Sequence, residues 1–218
     1  NQKDLPGSVM FDYLDLNGGH LSDDIIVTVS KLSNPEEAYE ERLWEVPDQR
    51  VLTRKNFKKY FPLYSYQNDF GFDKWDIQNQ LSDSILSEGN RVINFEGISR
   101  WKEGVYRVEF HSKDMKLLKK HHFVLHNTKT SSLPFPATYW MTYPDSSINV
   151  GGDLQLNLGS SFKGYALIQI ESKGDIVEKK WLTIKREVKN IKLPVLSSYQ
   201  GGIVVYVSFY FKNRSYNR

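Results

Sequence analysis

The chain has 218 residues, of which 39% are hydrophobic and 14% aromatic, so it has enough apolar material for packed cores. Its length predicts two modest domains, because one domain usually holds about 100 to 150 residues. The 29 basic and 26 acidic side chains leave a net charge of +3, which is too small to favour nucleic-acid binding. The sequence has no cysteine, which excludes disulfides, thiolate metal sites and cysteine nucleophiles within this segment.

No stretch of the sequence approaches the ~20 apolar residues that a transmembrane helix needs. The opening residues Asn1-Gln2-Lys3-Asp4 do not have the pattern of a signal peptide. Because the first residue is not methionine, we expect the chain to be part of a longer protein.

Apolar residues that alternate with polar ones predict β-strands in the first half, because successive strand side chains point to opposite faces. Ile25, Val27 and Val29 share one face of such a strand. The predicted strands are 9–16, 24–32, 91–96, a strand through Tyr106, Val108 and Phe110, and 117–125.

The second half alternates more cleanly, and it predicts an immunoglobulin-like or fibronectin-like sandwich. Lys173-Gly174-Asp175 has turn chemistry and predicts a hairpin. The alternating apolar sets are Leu154, Leu156 and Leu158; Ala166, Ile168 and Ile170; and Ile203, Val205, Val207, Phe209 and Phe211. The polar, proline-ending stretch 127–136 places a domain boundary near Thr130, giving domains 1–129 and 130–218.

Residues 33 to 90 interrupt this rhythm as a long polar insertion in the first domain. A short helix is expected there, with Thr53 as its cap and Pro62 at its end. Its aromatic residues Phe57, Tyr60 and Phe61 are expected on one face that docks on the sandwich. Trp44 and Trp75, in the same insertion, are interpreted as packing residues.

The sequence offers little basis for catalysis or metal binding, and we predict no catalytic, cofactor-binding or metal-binding residues and no cofactor. His122 and His126 fall on one strand face, but zinc needs three or four ligands, so this segment is interpreted as a solvated edge. Asp15 to His20 resembles the start of a calcium loop yet departs from its pattern, and a glycine turn explains it better. Gly159-Ser160-Ser161 is interpreted as a turn.

Two series of aromatic and turn motifs run through the halves. The first contains Leu32-Ser33-Asn34-Pro35, Arg42-Leu43-Trp44-Glu45-Val46-Pro47-Asp48, Leu52-Thr53, Phe57, Phe61-Pro62 and Tyr66. The second contains Tyr139-Trp140, Leu158-Gly159-Ser160-Ser161, Glu178-Lys179-Lys180-Trp181, Tyr199-Gln200-Gly201-Gly202 and Phe211-Lys212-Asn213-Arg214-Ser215-Tyr216. Their order and spacing resemble consecutive macroglobulin domains of large bacterial alpha-2-macroglobulin-like proteins, particularly those of Bacteroidetes.

The resemblance covers nearly the whole chain and implies an all-β fold of two tandem seven-stranded antiparallel β-sandwiches, macroglobulin or fibronectin-III-like. It implies scaffold domains of a protease inhibitor that offers a bait segment and closes around the attacking protease. Expected partners are the remaining macroglobulin domains and trapped proteases, in a periplasmic or cell-surface and often lipid-anchored protein. A Cys-Gly-Glu-Gln thioester, which some members carry, cannot lie in this cysteine-free segment.

A second function class stays open beside this one. Thirteen tyrosines and five tryptophans suit an extracytoplasmic carbohydrate-binding or adhesin module. Such a module is expected to expose several aromatic residues together on one face or loop rim, whereas a scaffold buries them or places them between domains.

Overall fold

The computed structural model describes residues 8–10, 17, 24–67, 70–86, 92–95, 97–143, 148–199 and 201–217. Among the described residues, strands account for 49% and helices for 9%, which confirms the predicted all-β class. The chain divides into two compact units. Unit 1 comprises Asn1–Pro35 and Glu41–Asn127, and unit 2 comprises Glu36–Glu40 and Thr128–Arg218.

The described part of unit 1 forms one four-stranded and one two-stranded antiparallel sheet. In the first sheet the strand order is β3-β2-β5-β6, and β1 pairs with β4 in the second. The strands are β1 Ser8–Met10, β2 Ile25–Leu32, β3 Ile77–Leu86, β4 Val92–Asn94, β5 Gly104–Ser112 and β6 Leu117–Leu125. The predicted strands 24–32 and 117–125 are thereby confirmed, whereas residues 11–16 of the first predicted strand lie outside the described residues.

One apolar core joins the two sheets of unit 1. Val27, Val29 and Val108 of the larger sheet are at most 3% exposed, and they belong to the same cluster as Ile93 and Phe95. Burial of such side chains stabilises the fold by about 1.5 to 3 kcal/mol each. Apolar residues alternate in β2 and β5 because alternate side chains of these strands enter the core, as the sequence predicted.

The predicted insertion from 33 to 90 was wrong in one respect, because β3 lies inside it. This strand pairs with β2 along its length, with register shifts beside Ser30 and Leu32. Its described side chains, including Ile77 at 49% and Leu81 at 37% exposure, face solvent. An edge strand with exposed side chains needs no apolar alternation, so periodicity could not reveal it.

Unit 2 contains seven strands among its described residues, arranged in two antiparallel sheets. The three-stranded sheet has the order β11-β8-β7, and the four-stranded sheet has the order β10-β9-β12-β13. The strands are β7 Trp140–Thr142, β8 Asp153–Gly159, β9 Lys163–Ser172, β10 Asp175–Lys185, β11 Val188–Pro194, β12 Val204–Phe211 and β13 Arg214–Asn217.

The core of unit 2 lies between its two sheets. Leu156 and Leu158 of β8 belong to the same buried cluster as Ile168 of β9 and Val207 and Phe209 of β12. Lys173 and Gly174 turn with positive φ angles of 54° and 89° between β9 and β10, which confirms the predicted hairpin.

Two further features define the four-stranded sheet of unit 2. A side chain at Gly164 would place its Cβ 2.5 Å from the carbonyl oxygen of Tyr210, so the close approach of β9 and β12 requires glycine. Strand β10 lies at the outer position of the sheet and carries a bulge between Ile176 and Glu178.

The predicted helix of unit 1 is α1, Arg54–Tyr60. The Thr53 hydroxyl accepts a hydrogen bond from the Asn56 N–H at 3.3 Å, which confirms the cap. Phe57 is buried, but Tyr60 is 61% exposed, so the predicted three-residue aromatic face was wrong at Tyr60. Among the described residues no helix has the length and apolarity needed to cross a bilayer.

The two valines of β12 provide a matched test of the unit 2 core. Val207 is 1% exposed and Val204 is 49% exposed. We expect Val207→Ala to lower the free energy of unfolding of unit 2 by about 2 kcal/mol, because burial and packing are lost together. Urea unfolding should show a near-unchanged midpoint for Val204→Ala, and equal effects of the two substitutions would contradict the assigned faces of β12.

Candidate functional site

Segment 41–66 of unit 1 folds around a cluster of aromatic rings. The Trp44 ring lies 5.4 Å from that of Phe61 and 4.8 Å from that of Tyr64. The Phe57 ring lies 5.2 Å from Phe61 and 5.5 Å from Tyr66. These edge and tilted contacts are the arrangements that aromatic pairs prefer. Helix α1 therefore packs on its own segment, which differs from the expected docking on the sandwich.

Two arginines close this aromatic cluster. The Arg42 guanidinium lies 4.8 Å from the centre of the Phe57 ring, and its Nε donates to the Ser65 carbonyl oxygen at 3.0 Å. The Arg50 guanidinium lies 4.7 Å from the Tyr66 ring, whose hydroxyl donates to the Leu52 carbonyl oxygen at 3.0 Å. A groove of about 220 Å³ opens beside these residues. The cation–π contacts and the hydrogen bonds to backbone carbonyl oxygens stabilise the fold of this segment, so Arg42, Arg50 and Tyr66 have a structural role.

Arg107 of β5 is a buried charged group with several hydrogen-bond acceptors. It is 9% exposed, and its Nη2 donates to the carbonyl oxygens of Phe72, Asp73 and Trp75 at 3.2, 3.4 and 3.1 Å. Its Nε donates to His122 Nε2 at 3.3 Å. A buried guanidinium is costly without partners, and these acceptors supply them. Arg107 thereby fastens residues 72–75 to the sheet, where Trp75 also packs against the Phe72 ring at 5.0 Å.

The interpretation of the histidine segment as a solvated edge was wrong at His126, which is 6% exposed, and also at His122. Its side chain is 14% exposed, because the Phe72 ring covers it at 5.9 Å. Burial lowers the pKa of His122 in spite of the opposing Asp73 carboxylate, and Arg107, Lys120 and His121 lower it further. Asp73 itself pairs with Lys120 at 2.6 Å, and its pKa is lowered chiefly by that hydrogen bond. The arrangement suits a neutral imidazole that accepts from Arg107.

His126 is 6% exposed, and burial lowers its pKa to about 4. Among the described residues, no three histidine, cysteine or acidic side chains converge as a metal site would require. The calcium-loop segment from Asp15 to His20 lies outside the described residues apart from Asn17.

Residues from three of the five motif segments of unit 2 are joined by ring contacts and hydrogen bonds around residues 138–139. The Tyr139 ring lies 5.3 Å from the Tyr216 ring and 5.7 Å from Phe209. The Ser160 hydroxyl donates to the Thr138 carbonyl oxygen at 2.5 Å and accepts from the Phe162 N–H at 3.0 Å. The interpretation of Gly159-Ser160-Ser161 as a structural turn is confirmed by these bonds.

The outer face of the four-stranded sheet of unit 2 exposes several aromatic residues together. Trp181 is 60%, Tyr165 55% and Tyr206 41% exposed, and the Trp181 ring lies 5.4 Å from that of Tyr210. We call these four residues the aromatic face. This face was not predicted from the sequence, although each of Tyr165, Tyr206 and Tyr210 precedes or follows a core residue in its strand and so points outward.

A scan against protein-family models finds no match to this chain, and a search of curated proteins finds none either. The assignment of a function therefore depends on the residues and geometry described above.

The clamp formed by Arg107 can be tested by removing it. We expect Arg107→Ala to accelerate amide hydrogen exchange in residues 70–76, because three carbonyl contacts and the bond to His122 are lost. Each buried group left unpaired costs about 1 to 3 kcal/mol. Lys120→Ala, which removes only the exposed contact to Asp73, is the matched control. Unchanged exchange of residues 70–76 in Arg107→Ala would refute the clamp.

The lowered pKa of His126 predicts a pH dependence of stability. Above about pH 6.5 both the folded and the unfolded state hold this imidazole neutral. Between about pH 6.5 and the folded pKa of about 4, the unfolded state binds the proton first, so stability falls as the pH falls. The loss is of the order of 1 to 3 kcal/mol.

Urea unfolding across this pH range checks that expectation. His126→Gln should show a shallower loss of stability toward acid than the wild type. Parallel pH profiles for the wild type and His126→Gln would contradict the assignment.

Proposed function

We propose that this chain supplies two non-catalytic scaffold domains of a large extracytoplasmic bacterial protein of the alpha-2-macroglobulin type, a protease trap. This proposal is supported by the packing of the motif residues in unit 1. Arg42, Trp44, Phe57, Phe61 and Tyr66, which belong to the resembling motifs, pack on one another. Residues that pack together in this way hold a domain in shape.

Unit 2 supports the same proposal through a different set of motif residues. Tyr139 and Tyr216 are far apart in the sequence, yet their rings lie 5.3 Å apart. Ser161 accepts a hydrogen bond from the Ala137 N–H at 3.0 Å, and Phe211 stacks on Tyr216 at 5.1 Å. The motifs 139–140, 158–161 and 211–216 thus contribute to the packing of the unit.

In this proposal the two units are scaffold modules for the conformational change of the protease trap, and they catalyse no reaction. The partners are the other macroglobulin domains of the longer protein and the proteases that it traps. The location is periplasmic or at the cell surface, and a lipid anchor, the bait segment and any thioester belong to other parts of that protein. We propose that each unit has the fold of a seven-stranded macroglobulin sandwich.

A second function, ligand binding by an extracytoplasmic sandwich, is favoured by the aromatic face. A pure scaffold is expected to bury its aromatic residues or place them between domains. Trp181 and Tyr165 are instead more than half exposed on the same sheet. This surface suits binding and is compatible with a scaffold role for the remainder of the chain.

The scaffold proposal is tested on the longer protein that contains this chain. We expect an active protease to nick it outside residues 24–67 and 97–143, and small-angle scattering to show compaction after nicking. The same protease with its nucleophile blocked is the control, which should leave the radius of gyration unchanged. Nicking with no change of shape would overturn the proposal, as would protease inhibition or substrate turnover by the 218-residue chain alone.

A further inference from the structure

The outer face of the unit 2 sheet presents its side chains in regular rows across β10, β9 and β12. Strand register defines four of these rows. They are Ile176, Glu171 and Val204; Lys179, Gln169 and Tyr206; Trp181, Leu167 and Ser208; and Thr183, Tyr165 and Tyr210. Neighbouring rows are about 7 Å apart, since two residues separate them along each strand. The aromatic face therefore presents rings in three consecutive rows of one sheet face.

The exposed rings forgo part of the free energy that their burial would provide. Complete burial of a large aromatic side chain is worth about 3 kcal/mol, yet Trp181 and Tyr165 stay 60% and 55% exposed. Single exposed apolar residues are ordinary, but a contiguous group on one sheet face marks a binding surface.

One ring of the face is held in a fixed orientation by a charged neighbour. The Tyr206 hydroxyl donates to Glu171 Oε2 at 2.8 Å, from the next strand of the sheet. This hydrogen bond, reinforced by the negative charge of Glu171, raises the pKa of the Tyr206 phenol. The ring is thereby oriented before a ligand arrives, which lowers the entropy cost of binding.

The chemistry of the rows specifies the ligand. Within these four rows the 12 residues include one ammonium, Lys179, and one carboxylate, Glu171, whose formal charges cancel. Amide and hydroxyl groups of Gln169, Ser208 and Thr183 are placed in rows with the rings. Such a surface combines stacking planes with neutral hydrogen-bonding groups, and positive charge is added only at its end, where Lys185 and Lys163 pair in the row beyond Thr183 and Tyr165.

We propose that the aromatic face of unit 2 binds an extended, neutral polysaccharide. A pyranose ring presents C–H bonds with partial positive charge on its flat side, and the negative face of an aromatic ring attracts them. Its hydroxyls, which point outward around the ring, can bond with Gln169, Lys179 and Thr183, none of which is buried. The length of chain from Tyr206 to Tyr210, about 13 Å, accommodates more than one sugar. This inference does not depend on the scaffold proposal.

A protein partner is less well suited to the aromatic face. The centre of a stable protein interface excludes water and is poor in charged residues, especially Lys and Glu. Here Lys179 and Glu171 lie in the rows next to the rings. A polysaccharide, which is itself a surface of hydroxyls, tolerates both.

The binding test uses the whole chain and three neutral β-1,4-linked probes, cellohexaose, xylohexaose and mannohexaose, in isothermal titration calorimetry. We expect at least one probe to bind in the millimolar range or tighter, and Trp181→Ala to weaken that binding by about tenfold or more. Tyr165→Ala should weaken it as well. Tyr206→Phe, which keeps the ring and removes the bond to Glu171, should weaken it less than Tyr206→Ala.

The matched control is Tyr60→Ala, which deletes an aromatic residue of 61% exposure in unit 1. It should leave binding unchanged, and circular dichroism should show each variant folded. Three results would overturn the proposal: no probe binds at millimolar concentration, Trp181→Ala binds as well as the wild type, or Tyr60→Ala loses binding equally. Concentration-dependent self-association abolished by Trp181→Ala would also overturn it, in favour of an interface between copies of this chain.

Discussion

The pairing of β9 with β12 is the constraint on which unit 2 depends. Successive side chains of a strand point to opposite faces, so the burial of Ile168 and Val207 fixes where their neighbours point. A shift of one residue would bring Tyr206 into the core and expose Val207. The close contact of Gly164 with Tyr210 helps to hold this register, because only glycine fits there. The apolar core and the aromatic face are thus two results of one alignment.

Unit 1 meets a different requirement, the burial of a positive charge. Arg107 lies on the face of β5 opposite to the apolar core, and it is covered by residues 72–75. Backbone carbonyls satisfy it, with the imidazole of His122 as a further acceptor. These hydrogen-bond acceptors carry no formal charge, and the Glu109 carboxylate adds an ion pair at 4.0 Å from Arg107 Nη1. Hydrogen-bond geometry therefore orients the cluster, and the ion pair contributes attraction. This kind of contact positions a loop and supplies no reactive group.

The sequence predicted those elements whose side chains divide between core and solvent. Strands β2, β6, β8 and β9, the hairpin at Gly174 and the cap at Thr53 all follow from alternation or local turn chemistry. Strand β3 was not predicted, because an exposed strand at the edge of a sheet does not require alternating apolar residues. The burial of His122 could not be predicted for another reason. It depends on Phe72 and Arg107, which are distant from His122 in the sequence and approach it only after the sheet forms. The aromatic face was within reach of the alternation rule, but the aromatic composition indicated a binding module only as an alternative and did not indicate which residues would form it.

The outer strand β10 has a consequence for how such chains avoid polymerising. An uncovered β-edge offers free peptide groups to any other extended chain, and unchecked addition leads to fibres. The bulge between Ile176 and Glu178 disturbs the spacing of those groups. Lys179 and Lys180, both exposed, add charge repulsion between two such edges. The edge is therefore protected against strand addition, which allows unit 2 to keep exposed rings on its broad side without recruiting copies of itself along its margin.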